Sequence, residues 1–331
     1  LKISIVGAGA WSTAIARLLI KNGHEVTLCA RRRCDADKMK EVKENKKHLP
    51  GVKLPNSLKF SWFEEIPTCD IAVFGVPAQH VRETLEFVKF KADGIVNLAK
   101  GIEIKTLKRM EEVFKEYIKN IDYASLSGPS HAEEVATDIP TSVVVSSRKF
   151  EFSEIVQKLF SSSKFRVYTS EDLTGIEVGG ALKNVIAIAA GVVDGLGGWD
   201  NSKAAIVTRG LAEITRIGVK LGAHPLTFMG LSGLGDLVVT CTSRHSRNRK
   251  VGEIIGKGLG VPKESTFIAE GLHTVVAELN LAKRLHVEVP IAQAVYSLVY
   301  EGISPKAMVF ELMNRPLKKE HEWNVDQNTN S

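Results

Sequence analysis

Through about residue 170 the chain alternates short, wholly apolar runs with helix-patterned stretches, and then the alternation stops. "KISIV" leads into "TAIARLLIKNG", whose apolar residues recur at helical spacing and whose end carries Gly23; "EVTLCA" (25–30) follows. "DIAVFGVP" (70–77), "GIVNLAKG" (94–101), "YASLSGPS" (123–130) and "TSVVVSS" (141–147) read as further strands. Strands that are apolar on both faces and separated by helices predict a parallel sheet covered on both sides. Beyond that point "EDLTGIEVGGALKNVIAIAAGVVDGLG", "SKAAIVTRGLAEITRIGVKLG", "TVVAELNLAKRLH" and "IAQAVYSLVYEG" are all helical by period. The 331 residues suffice for two domains. An α/β domain over residues 1–170, followed by an all-α domain over 171–331, is the expected organisation.

The turn after the first strand gives the α/β half a chemistry. In "SIVGAGAWS", Gly7 and Gly9 stand between a strand and a helix, the context in which a glycine pattern signals a dinucleotide. Gly7 permits the tight turn, and Gly9 lets the backbone approach a pyrophosphate seated on the helix N-terminus. Ser12 occupies the third glycine position, whose task is close helix–strand packing. The half is therefore expected to be a Rossmann-type doubly wound sheet. The second strand of such a fold commonly ends in an acid that holds the ribose 2′-hydroxyl of NAD. Here it ends in Arg31, Arg32 and Arg33, and Glu25 lies at the wrong end. Arginine forks suit a 2′-phosphate, so NADP(H) is favoured over NAD(H).

The helical half holds polar islands. Lys183 sits among Gly179, Gly180, Ile186 and Ala187 on its helix face, with no carboxylate within reach. On the helix alone it either snorkels past small neighbours or projects into a cleft and does chemistry there. Asp236 follows a glycine-rich turn, with Thr240 one helical turn on. "RHSRNRK" (244–250) packs four cations into seven residues beside Ser246 and Asn248. That pattern suits a phosphate; a solvated basic face and a nucleic-acid face are the alternatives, the latter without interleaved aromatics. Lys100 lies at the C-terminal end of a sheet strand, where open α/β sheets bind ligands. Burial and a like-charged neighbour there would depress a lysine's pKa into the range useful for proton transfer. The net charge of +6 fits an anionic partner without choosing one. Four scattered cysteines indicate free thiols and no zinc site. No unbroken apolar run reaches membrane-spanning length, and the opening reads as a strand and not a secretory leader, so a soluble cytoplasmic protein is expected.

Taken in order, "GAGAWS", "VTLCARR", "NLAKGIE", "LSGPSHAEEVA", "GGALKNVIAIAAG", "GLSGLGDLVVTCTSRHSRNRKVG" and "AEGLHT" resemble the NAD(P)-dependent glycerol-3-phosphate dehydrogenases of bacterial type, from residue 1 to about 315. The resemblance implies that Lys183 is the general acid/base, Lys100 a second active-site lysine touching substrate and cofactor, and Asp236 the acid that orients the catalytic lysine. It implies substrate contacts at Gly128, Ser130, Asn184, Thr240, Ser246, Arg247 and Asn248. Cofactor contacts are implied at Ala10, Trp11, Arg31, Arg32, Ala132, Arg247, Ile268 and Glu270, beside Gly7, Gly9 and Ser12. Two positions depart from many relatives: Ser12 replaces a glycine and His131 a phenylalanine. The implied reaction is reversible hydride transfer between NAD(P)H and dihydroxyacetone phosphate, giving sn-glycerol 3-phosphate for phospholipid synthesis. Small residues around Lys183 would leave room for substrate. A 3-hydroxy-acid dehydrogenase of similar build and a non-catalytic NADPH sensor are the competing readings. No metal, nucleic acid or membrane segment is implied. The small residues of the second-half helices could serve packing within the chain or across a homodimer.

Overall fold

The computed structural model describes residues 1–262 and 269–320. Ten strands form: β1 (Lys2–Val6), β2 (Glu25–Ala30), β3 (Glu44–Asn45), β4 (Leu49–Lys53), β5 (Lys59–Trp62), β6 (Ile71–Phe74), β7 (Gly94–Asn97), β8 (Asp122–Ser127), β9 (Thr141–Ser147) and β10 (Phe165–Ser170). Eight of them make one sheet in the order β5-β2-β1-β6-β7-β8-β9-β10, and β3 and β4 form a separate hairpin. Pairing is parallel throughout except between β8 and β9, which run antiparallel. The expected all-parallel sheet fails at that one junction. The β8–β9 connection, residues 128–140, carries only a five-residue helix, and β9 returns beside β8 as its antiparallel neighbour.

The first-half helices are α1 (Ala10–Lys21), α2 (Arg33–Val42), α3 (Val81–Phe87), α4 (Met110–Tyr117), α5 (Ala132–Ala136) and α6 (Phe150–Phe160). Alternation along β1 feeds two cores. Ile3 and Ile5 pack with Ile15 and Leu19 of α1 and Phe160 of α6, whereas Val6 joins Phe74, Leu85 of α3 and Phe114 of α4 on the other face. Strand order reverses at β1, whose neighbours are β2 and β6, so a crevice opens beyond their C-terminal ends.

No strand among the described residues follows β10. The helices there are α7 (Leu173–Leu196), α8 (Asp200–Lys220), α9 (Asp236–Thr242), α10 (Arg247–Gly256), α11 (Glu270–Leu285), α12 (Pro290–Tyr296) and α13 (Pro305–Met313). Helix α7 is the axis: every residue from Leu173 to Val193 is buried. Its 24 residues are long and apolar enough to cross a membrane, although no unbroken apolar run in the sequence announces this, and they are enclosed by protein instead. Its N-terminus is held by Asp172, which accepts from the Gly175 amide at 2.8 Å and from Thr227 Oγ1 at 2.7 Å. Helices α7 and α10 cross with backbones nearly touching. A methyl on Gly252 would collide with the Ile188 carbonyl, and one on Gly191 with the Arg249 carbonyl. These small residues therefore serve packing within the chain. A buried network fastens α7 to the sheet: Glu177 accepts from Arg109 Nη1 at 2.9 Å, the Glu111 amide at 3.1 Å and Tyr123 Oη at 2.6 Å.

Candidate active site

A cleft of about 1540 Å³ runs from the β1–β6 crevice to the mid-portion of α7 and the start of α10. Its first wall is the glycine loop. Gly7 has φ +100°, and a Cβ there would press on Gly75 and Val76, so the close approach of the loops after β1 and β6 requires glycine. No side chain caps the N-terminus of α1, which leaves its amides to a ligand. Ala10 and Trp11 line the cleft, and the buried indole N–H of Trp11 has no acceptor among the described residues. Ser12 is different: it is fully buried beneath the loop and donates to the Gly75 carbonyl at 3.1 Å. It performs the packing task of the third glycine and does not line the cleft.

Arg31 and Arg32 stand on the rim. Arg31 pairs with Glu83 at 3.1 Å and Arg32 with Asp35 at 2.9 Å, both on the surface, where such pairs contribute little. Asp35, Glu64 and Glu83 line the same end of the cleft, acids that the strand sequence alone does not show. The β3–β4 hairpin was also missed. Its buried Asn45 donates to the Ala8 carbonyl at 2.9 Å and to Thr13 Oγ1 at 2.8 Å, pinning Lys46, Lys47 and His48 over the glycine loop. The only sequence trace was a basic "NKKHLPG" turn.

At the other end lies an ionic cluster drawn from three places in the chain. Buried Asn97 bonds Ala99 through both ends of its amide and so fixes the turn that carries Lys100. Lys100 Nζ donates to Asp236 Oδ2 at 2.8 Å and to the Gly128 carbonyl at 2.9 Å. Lys183 Nζ donates to Asp236 Oδ1 and, at 3.0 Å, to Thr240 Oγ1. One carboxylate thus holds two ammonium groups. Burial pushes the Lys183 ammonium down, Asp236 pulls it back and Lys100 adds to the fall; it settles at about 8. Burial opposes ionisation of Asp236, but Lys100 and Lys183 outweigh it and hold the carboxyl below its ordinary range.

The small residues beside Lys183 do not make room for substrate, as the sequence reading expected. A methyl on Gly179 would strike the Ser232 carbonyl, and one on Gly180 would meet Ser127 and the stem of Lys100. They admit the turn that delivers Asp236 and the lysine opposite.

Close crossing of α7 and α10 brings Asn184, Ser246, Arg247 and Asn248 to the same wall. Asn248 donates to Asn184 Oδ1 at 2.8 Å and accepts from the Gly271 amide at 2.9 Å. Ser246 caps α10, accepting from the Arg249 amide at 3.2 Å. Arg247 is exposed to the cleft and, among the described residues, makes no hydrogen bond or salt bridge. Ser130, Ala132 and Glu270 also line the cleft, whereas Gly128 and Asp236 lie behind it. Burial raises the Glu270 carboxyl, against the pull of Arg247 and Lys183. Ile268 lies outside the described residues. His131 and His245, neither of them among the expected contacts, line the cleft too. Among the described residues, no group of three or more His, Cys, Asp or Glu is set to hold a metal ion.

A Rossmann-type sheet, a helical half and a paired-lysine cluster where they meet define a two-domain nucleotide-dependent oxidoreductase architecture. Comparison with known proteins narrows the class. Residues 2–153 match the family described as NAD-dependent glycerol-3-phosphate dehydrogenase N-terminus, and residues 172–310 match its C-terminus. A protein of Thermoanaerobacter sp. named glycerol-3-phosphate dehydrogenase, NAD(P)+, is 47% identical over 328 residues, covering 97% of this chain and 99% of its own. One of the same name from Carboxydothermus hydrogenoformans is 48% identical over 330 residues, covering 97% and 98%. The crystal structure of glycerol-3-phosphate dehydrogenase from Coxiella burnetii superposes with a TM-score of 0.87 at 32% identity, covering 95% of this chain and 99% of that one. The chain belongs to the NAD-dependent glycerol-3-phosphate dehydrogenase family.

Proposed function

We propose that the chain interconverts dihydroxyacetone phosphate and sn-glycerol 3-phosphate, with residues 1–170 binding the nucleotide and residues 171–331 supplying the substrate site. The observation that carries this is the junction itself: one cleft is lined by the glycine loop, by Lys100 and Lys183 of the Lys183–Asp236–Lys100 cluster, and by Ser246, Arg247 and Asn248. The orphaned Trp11 N–H, the uncapped α1 terminus and the glycine loop fit a dinucleotide, which would supply or accept the hydride at C2. Lys183, with a pKa of about 8, protonates the forming alkoxide at neutral pH and recovers that proton in the oxidising direction. Asp236 orients it, and Lys100 faces the same reacting end. Arg247 and Ser246 grip the phosphate, so binding energy from a non-reacting group positions the carbonyl. A small phosphorylated metabolite, and neither nucleic acid nor membrane, is the partner. The expected setting is the cytoplasm, supplying phospholipid synthesis.

NADP(H) is preferred, because the Arg31 and Arg32 forks can leave weak surface pairs for a 2′-phosphate. NAD(H) remains usable, since acids line the same rim. The deciding measurement is the initial rate of NADPH and of NADH oxidation with dihydroxyacetone phosphate. Turnover, faster with NADPH, is the expected result; folded protein that binds NADPH and turns over neither nucleotide would be a sensor. The double substitution of Arg31 and Arg32 by alanine should raise KM for NADPH about tenfold and leave NADH nearly unaffected.

A further inference from the structure

The cleft holds two imidazoles that the reading above leaves without a task. His131 follows the loop after β8, and His245 lies in the α9–α10 connection next to Ser246 and Arg247. Their rings face one another with centroids 5.7 Å apart and planes tilted by 50°. His131 Nε2 is buried and has no hydrogen-bond partner among the described residues. A buried orphan nitrogen is costly unless a ligand completes it.

What could complete it follows from charge. A phosphate monoester carries close to two negative charges near pH 7, with a second pKa of about 6. Arg247 supplies one full positive charge at that wall. The Lys183–Asp236–Lys100 cluster has one positive charge to spare in the same cleft, and a close group that is neutral in the free enzyme can add another beside the phosphate. The charged and titratable groups about His131 are Lys183 from α7, Glu133 and Glu134 from α5, and His245. Burial, with the Lys183 charge behind it, lowers the His131 pKa and keeps the ring neutral in the absence of ligand. A dianion arriving beside it reverses that balance.

We propose that His131, seated against the His245 ring, takes up one proton from solvent when the substrate phosphate binds, so that His131 is a specificity-determining residue for phosphorylated substrates. This rests on the proposed function for the identity of the substrate. The phosphate remains a dianion, His131 becomes a cation by binding a proton from solvent, and no other bond forms or breaks. Binding therefore tightens as pH falls toward 6.5.

The test combines kinetics with calorimetry on the full chain. KM for dihydroxyacetone phosphate should rise by up to tenfold per pH unit between about pH 6.5 and 8.5. In His131→Phe that slope should flatten, with KM near pH 7 raised about tenfold and kcat changed less than threefold. His131→Asn, which keeps a donor but does not titrate, should recover part of the affinity and none of the slope; it serves also if the phenylalanine variant does not fold. Calorimetric titration of sn-glycerol 3-phosphate at pH 7.5, in two buffers of different ionisation enthalpy, should count close to one proton taken up by wild type and near zero by either variant. An unchanged pH slope and proton count in the variants overturns proton uptake at His131 while leaving the reaction intact. His131-dependent proton uptake without turnover overturns the reaction and leaves the role of His131 standing. No binding of glycerol 3-phosphate overturns both.

Discussion

Asp236 is what makes Lys183 tolerable inside the protein. A buried ammonium without a partner is expensive, and two of them facing each other more so. The carboxylate neutralises one charge and leaves the cluster with one to spare, so Lys183 stays in a range where it can release a proton. Lys183→Met should reduce turnover by roughly 10²–10⁴ while NADPH binding and the circular dichroism spectrum stay as in wild type. The pH profile follows in sign from a pKa of about 8: reduction, which needs the ammonium, should fall as pH rises through 8, and oxidation, which needs the free amine, should rise. Steady-state rates in both directions check this, with opposite limbs as the expected signature. None of it is decidable on α7 by itself. The helical neighbours of Lys183 are apolar, and its partner lies 53 residues further along the chain. The lysine's apolar helical neighbours are legible in the sequence; its carboxylate partner is not, because only the tertiary fold supplies the acid.

At the scale of elements, the site depends on how closely α10 can approach α7. Glycines at the crossing let the two backbones meet, and that contact sets the positions of Asn184, Arg247 and Asn248. Gly252→Ala places a methyl against the Ile188 carbonyl, where backbone must move. It should cost about 1–3 kcal/mol, read as a lower Tm, and raise KM for the phosphorylated substrate more than it lowers kcat. Elements with strong patterns were plain in the sequence: β1, β2, β6 and the long helices announce themselves by period and by glycine or proline ends. Edge elements were not. β5 is four residues on the margin of the sheet, β10 has alternate residues exposed, and the β3–β4 hairpin has a mostly exposed face. Such segments carry little apolar signal, since they bury little, and their role comes from what they cover.

Across the whole molecule, acids in unlike settings give stability two opposed pH limbs. Glu111 is held at about 2 by Arg148 and Lys115 despite its burial, so its contribution is complete above the unfolded value and lost as pH falls through the acid range. Glu177, Glu213 and Glu278 behave oppositely. Burial raises Glu177 and Glu213 to about 7, and Glu278 well above its ordinary 4.5. In that range the folded chain binds more protons than the unfolded one, so stability declines as pH rises from about 4.5 toward 7 and beyond. The three are not equally placed. Glu177 and Glu213 accept backbone or side-chain donors, whereas both oxygens of Glu278, fully buried on α11, lack partners among the described residues. Glu278 therefore opposes the fold most when it must ionise. Glu278→Leu removes both orphan oxygens at similar volume and should stabilise the protein by about 1–3 kcal/mol at pH 8. Below the unfolded pKa the wild-type carboxyl is neutral in both states, and the gain should shrink toward the smaller effect of an unpaired neutral group. Thermal unfolding of both proteins at pH 8 and pH 5 measures the difference. A gain equal at the two pH values would mean that the effect is packing alone and that Glu278 carries no proton linkage.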